Sequence, residues 1–278
     1  MASHTIKYGR LILLIKKMKK LIAIMLIAIL LPYIITVFIN GNSIETSQQS
    51  LLDDYCISML AREVSSTYED EMLKVQAVIV RTTIYQNIGE LKSSDMDISN
   101  LDSMWKSRLR RAWEETKGQV LMYNNELALL PFHYLSNGKT RNAGEVLQSD
   151  AYPYLIGREC ISDLQSDEQI QTKMIDVTDV EIVSTDSAGY VTGVKVGNEI
   201  INGDTFRKEQ GIVSSCFELQ KFDSVTCVIT KGVGHGMGLS QYTANEMAKE
   251  GKTYQEILQF FYEGTEMNEV AEVLWQKE

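Results

Sequence analysis

An α+β fold is predicted for this chain, with an N-terminal transmembrane helix followed by helices packed on a mainly antiparallel sheet with a substrate groove. Three observations carry the prediction. The run Leu21 to Ile39 is apolar and uncharged throughout, long enough to span a bilayer. Segments with helical periodicity flank a central stretch of short alternating runs. Those runs, from Val177 to Thr230, are broken by Asp186-Ser187-Ala188-Gly189 and Gly197-Asn198, tight-turn signals that favour an antiparallel meander over βαβ units.

The apolar run is read as an uncleaved anchor. Lys7, Arg10, Lys16, Lys17, Lys19 and Lys20 precede it, which keeps the N-terminus in the cytoplasm by the positive-inside bias. Asn40-Gly41-Asn42-Ser43 lacks a small-x-small cleavage pattern, and Pro32 is tolerable in a membrane helix. The expected organisation is a basic cytoplasmic tail over 1–20, an anchor over 21–39, a linker over 40–50 and one extracytoplasmic domain over 51–278. The chain has 278 residues and a formal charge of −10, and the part after the basic tail is more acidic still. That balance argues against nucleic acid and against a broad electrostatic grip on anionic polymers. The cysteines, Cys56, Cys160, Cys216 and Cys227, show no CxxC spacing. Cys216 and Cys227 fall on neighbouring predicted strands, and either a disulfide or separate thiols would suit them.

Leu51 to Glu63 reads as a helix, with Leu52, Tyr55, Cys56, Met59, Leu60 and Glu63 at three- and four-residue steps. Glu63 continues the apolar stripe. Burial there would raise its pKa and favour a protonated acid; otherwise it is a helix-end glutamate that reaches water or an arginine. Ser66-Thr67-Tyr68-Glu69 reads as a capping box, opening a helix to about Asn87. Lys74 and Arg81 share one stripe of that helix. Two cations so placed neutralise a substrate, orient the Glu63 carboxylate, or form a solvated face.

Residues 89–101 are polar and loop-like, and Met104 to Lys117 is helical. Gln119 to Tyr123 and Glu126 to Tyr134 form a hairpin about Asn124-Asn125, a pair that accepts φ > 0, with His133 at its end. After the strand-rich stretch comes Gly232-Val233-Gly234-His235-Gly236-Met237-Gly238-Leu239-Ser240-Gln241-Tyr242. Glycines of this kind serve close backbone approach or φ > 0, and they present His235 for ligand contact or simply make a turn. Ser240 caps a helix from Gln241 to Glu250, and Thr253-Tyr254-Gln255-Glu256 is a second capping box.

These blocks together resemble the stage II sporulation protein D family. The resemblance rests on Leu52 to Tyr55, Arg62-Glu63-Val64, Glu71 to Val78 with Arg81-Thr82, and Gly234 to Tyr242. It continues through Ala248, Gly251, Tyr254, Glu256-Ile257-Leu258, Tyr262 and Gly264. It implies a catalytic Glu63 and basic partners at Lys74 and Arg81, with His235, Ser240, Gln241 and Tyr154 at the substrate groove. Two departures stand out. A lysine expected two residues after Tyr154 is Ile156 here. Relatives thought to hold zinc use a histidine and cysteines after the hairpin, whereas His133 is followed by no cysteine until Cys160. No metal and no cofactor are expected, since a structural zinc needs about four N or S ligands.

The resemblance further implies a membrane-anchored, single-pass lytic transglycosylase of peptidoglycan glycan strands, acting during sporulation and engulfment. Glu63 would protonate the glycosidic oxygen between N-acetylmuramic acid and N-acetylglucosamine. As a carboxylate it would then deprotonate the muramic C6 hydroxyl, leaving a 1,6-anhydro end. Implied partners are a peptidoglycan amidase (stage II sporulation protein P) and a membrane scaffold (stage II sporulation protein M). The alternatives are a non-catalytic amidase enhancer, a scaffold, or a two-carboxylate hydrolase pairing Glu63 with Asp54 or Glu69.

Overall fold

Helix α1, residues 53–63, forms where the spacing predicts, with Tyr55, Cys56 and Leu60 buried and Glu63 partly buried in its last turn. The computed structural model describes residues 53–87 and 101–270. Contacts divide the chain after Asp54, and the fold below is that of the unit beginning at Tyr55.

Helix α2, Asp70–Gln86, begins without the expected capping box: Glu69 is the N-cap and no side chain caps it. Ser65 Oγ bonds Thr67 Oγ1 at 2.8 Å, and the Tyr68 N–H donates to Ser65 O, folding the segment into a turn. The Glu69 N–H donates instead to Asn245 Oδ1 at 2.8 Å. A partner distant in sequence thus replaces the local one. Met72, Leu73, Val75, Val78 and Ile79 of α2 are fully buried, making this helix the spine of the first core. Helix α3, Ser103–Glu115, packs on it, capped by the Asp102 carboxylate.

Strands β1, Gln119–Tyr123, and β2, Glu126–Leu127, meet at the expected hairpin, with Asn124 and Asn125 at φ 51° and 63°. The second arm is shorter than predicted. Strand β3, Phe132–His133, leaves the hairpin and pairs in parallel with a later strand, Leu239–Ser240.

Helix α4, Ala143–Leu147, and a 3-10 helix, Ile161–Gln165, lead into the strand-rich part. There β4 (Ile170–Ile175), β5 (Val180–Thr185), β6 (Val191–Val196) and β7 (Glu199–Asn202) are followed by helix α5, Gly203–Gln210. Strands β8, Phe217–Lys221, and β9, Thr226–Lys231, complete it. The sheets run β4-β9-β8 and β5-β6-β7, each antiparallel. One core joins them through Ile175, Val180, Val191, Val194, Phe206, Phe217 and Val228. The expected antiparallel pairing holds, but α5 was not anticipated; Asn202 starts it by accepting from the Asp204 and Thr205 N–H groups. Cys216 and Cys227 are both free thiols. Register separates them: Cys227 faces Gln220, while the Cys216 carbonyl accepts from the Lys231 N–H.

Strand β10, Leu239–Ser240, feeds α6, Gln241–Lys249, which Ser240 caps as predicted. Helix α7, Tyr254–Phe261, opens with the expected Thr253–Glu256 capping box. Strand β11, Glu266–Glu269, closes the sheet β11-β1-β2.

The membrane expectation is corrected here. Among the described residues no helix is long and apolar enough to cross a membrane. The predicted tail, anchor over 21–39 and linker lie outside the described residues, as does nearly all of the loop at 89–101. The described architecture is a mixed α+β fold with open sheets, and none of its helices is a membrane span.

Candidate functional site

Glu63 is set by α1 and held by α6. The Gln241 Nε2 amide donates to the Glu63 main-chain oxygen at 2.7 Å and to Gln76 Oε1 at 3.2 Å. Gln76 is fully buried on α2, and its Nε2 has no partner among the described residues. Burial raises the Glu63 carboxyl above the ordinary carboxylate range, with the neighbouring Arg62 charge pulling the other way.

Ser240 does more than cap. Its hydroxyl donates to the buried Asp163 carboxylate at 2.9 and 2.8 Å. The Thr243 hydroxyl donates to the same group at 2.7 Å, and so does the Ser136 N–H. Asp163 thereby ties the loop after β3 to the start of α6. A buried carboxylate persists only with such donors.

The glycine run is a close-packed crossing. A Cβ on Gly238, at φ +73°, would sit 1.9 Å from the Pro131 carbonyl oxygen, and one on Gly236 would enter the Tyr190 ring at 2.3 Å. Arg141, 1 % exposed, pins the run from below. Its guanidinium donates to His235 O at 3.0 Å, and its own N–H donates to Gly236 O at 2.8 Å. Asp186 and Asp204 pair with the guanidinium at 2.6 and 2.9 Å. The Met237 N–H donates to His235 Nδ1 at 3.1 Å, and His133 stands 5.7 Å from His235 between ring centroids. Burial pushes His133 down to about 3, its neighbour His235 adding to the effect, and burial lowers His235 as well. Both rings are therefore neutral near pH 7. His133 Nδ1 donates to Met237 O at 3.2 Å, and its buried Nε2 lone pair has no partner among the described residues.

Three residues singled out by sequence are engaged elsewhere. Lys74 Nζ is paired with Glu71 at 2.6 Å and Glu115 at 2.7 Å. Arg81 is 2 % exposed. It stacks on Trp113 at 3.6 Å and donates to Trp113 O, Gln119 O and the Thr116 hydroxyl. Lys74 lies about 200° around α2 from Gln76, and Arg81 about 140°, so both cations face α3 rather than the Gln76–Gln241–Glu63 junction. Tyr154 is 4 % exposed, and its hydroxyl both accepts from the Leu129 N–H and donates to Leu129 O. The structure thus brings Glu63, Gln241 and Ser240 together, joins His235 to them through β10, and sets Lys74, Arg81 and Tyr154 apart.

Among the described residues no group of three or more His, Cys, Asp or Glu is placed to hold a metal.

The family model described as Stage II sporulation protein matches residues 40–123. Stage II sporulation protein D of Bacillus subtilis (strain 168) is 31% identical over 276 residues, covering 86% of this chain and 80% of that protein. The chain belongs to the stage II sporulation protein D family. The stage II sporulation protein D of Bacillus amyloliquefaciens is 29% identical, over 80% of this chain and 76% of its own length. An amidase enhancer of Bacillus subtilis (strain 168) is 26% identical over 74% of this chain, although that match spans 39% of the enhancer.

Within this stage II sporulation protein D fold, sequence reasoning missed Gln76, Asn245, Arg141 and Asp163. Only Gln76 carried a signal, as an amide inside the apolar run Val75 to Val80. Chemically, the junction offers one partly buried carboxyl biased toward its protonated form, which can hydrogen-bond a polyhydroxylated ligand and exchange a proton with it.

Proposed function

We propose that this protein binds peptidoglycan glycan strands and serves a peptidoglycan amidase as an enhancer or scaffold. The observation that carries the reading is the relation to an amidase enhancer across 74% of the chain. That relation favours the enhancer or scaffold reading over the membrane-anchored lytic transglycosylase expected from sequence. The geometry agrees: Lys74 and Arg81, the cations meant to assist a glutamate, are consumed by α3. The partly exposed Glu63 carboxyl and the His235 run are the groups offered to the strand, with Gln241 and the buried Gln76 bracing the end of the Glu63 helix.

A second reading adds strand cleavage by Glu63 as a single acid/base, and the burial that raises its carboxyl favours it. One experiment separates them. The full chain is incubated with glycan strands, with and without stem peptides, and with a peptidoglycan amidase; sedimentation and mass spectrometry follow. Co-sedimentation and faster peptide release, with no new sugar ends, is the expected result. Anhydro-muramic ends that vanish in Glu63→Gln would establish the second reading, and a folded protein that binds no strand would overturn both.

A further inference from the structure

A pocket of about 290 Å³ lies at the C-terminal end of α2, away from the Glu63 junction. Tyr123, Tyr152 and Tyr154 wall it, and Gln86 and Glu126 stand at its polar side. We propose that this pocket is a second sugar-binding subsite, in which Tyr152 and Tyr123 receive the face of a sugar ring.

The construction is specific. Tyr154 is buried and locked by its two hydrogen bonds to Leu129, so it is a wall and not a swinging side chain. Tyr123 leans on it at 4.8 Å between centroids, tilted by 46°, and Tyr152 meets it edge-on at 6.3 Å. Both outer rings remain only partly buried. Tyr123 is fixed in turn by the hairpin, whose Asn124 and Asn125 take up positive φ. Gln86 Nε2 donates to Leu127 O at 2.7 Å, which directs the amide and keeps its Oε1 as an acceptor. Glu126 is exposed beside it. An aromatic face is electron-rich and attracts polarised C–H edges. A sugar ring offers such C–H bonds on one face and hydroxyl donors around its rim. Ring walls with acceptors at one side match both features.

The inference rests on the glycan-binding reading and extends it. Gln76 and Gln86 are ten residues apart on one helix, about 15 Å along its axis. A single sugar at the Glu63 junction does not reach the pocket, whereas a strand of several sugars has the length to do so.

The test is calorimetric titration of the full chain with a peptide-free glycan hexasaccharide. Tyr152→Ala should weaken binding about three- to tenfold, and Tyr152→Phe, which keeps the ring, should bind as the wild type does. Should Tyr152→Ala fail to fold, Glu126→Ala at the exposed rim should weaken binding in the same direction. Wild-type affinity in a folded Tyr152→Ala or in Glu126→Ala overturns the subsite and leaves the glycan reading standing. No binding by the wild type overturns the glycan reading itself. Displacement of the hexasaccharide by a simple alkylammonium salt would make the pocket a cation cage and overturn the proposal in favour of that ligand.

Discussion

Gln241, the first residue of α6, donates its side-chain amide to the backbone carbonyl of Glu63 in the last turn of α1. Residues far apart in sequence are thus clamped by one side chain, which Gln76 shares from α2. The carbonyls at a helix C-terminus lack partners within the helix, so this bond satisfies a group that would otherwise need water.

Gln241→Ala should therefore destabilise the fold. It strands the Glu63 carbonyl and the buried Gln76 Oε1, at a cost of roughly 1–3 kcal/mol. Urea unfolding would report a lower midpoint at unchanged slope. An unchanged midpoint would mean that the clamp contributes nothing.

Arg81→Lys should cost about 2 kcal/mol or more, because an ammonium cannot reproduce the planar stack on Trp113 together with bonds to two carbonyls and a hydroxyl. Strand binding per folded molecule should stay at the wild-type level. A selective loss of binding with stability intact would place Arg81 at the ligand instead.

Gly238→Ala should be among the most damaging single changes in the chain. The added methyl meets main chain, not a flexible side-chain tip, and φ +73° adds about 1–2 kcal/mol of left-handed strain. Circular dichroism melting of Gly238→Ala should show a large drop in midpoint or no cooperative transition. A melt close to wild type would contradict the packing of the run against Pro131.

The buried His133 makes stability depend on pH. Its folded value, about 3, lies below the ordinary 6.5, so the unfolded chain binds the extra proton first. Its contribution is present above about 6.5 and is lost as pH falls toward about 3, by up to roughly tenfold in the folding constant per unit. Replacing His133 with Leu should flatten that part of the stability–pH curve, as read from denaturant titrations at a series of pH values. An identical slope in the variant would show that His133 does not titrate with unfolding.

Thr253→Ala removes a reciprocal cap, in which Thr253 accepts from the Glu256 N–H while the Glu256 carboxylate takes the Thr253 N–H. A loss of about 1 kcal/mol is expected from chemical denaturation. The residue is exposed, so a much larger loss would point to a role beyond capping.

Whatever depends on neighbours along the chain is legible in the sequence. The stripe of α1, the Asn124-Asn125 turn, the Ser240 cap and the Thr253–Glu256 box all follow from local spacing and local hydrogen bonds, and all stand in the structure. Glu63 at the end of an apolar stripe belongs with them. Which partner each polar group took was settled by packing. Lys74 and Arg81 share a stripe by periodicity, yet periodicity cannot show that α3 would supply Glu115 and Trp113 to engage them. The start of α2 passed from Ser66 to Asn245 for the same reason. A buried polar group must find a partner, but the partner's position in sequence is set by how helices and strands pack, and no local pattern encodes it.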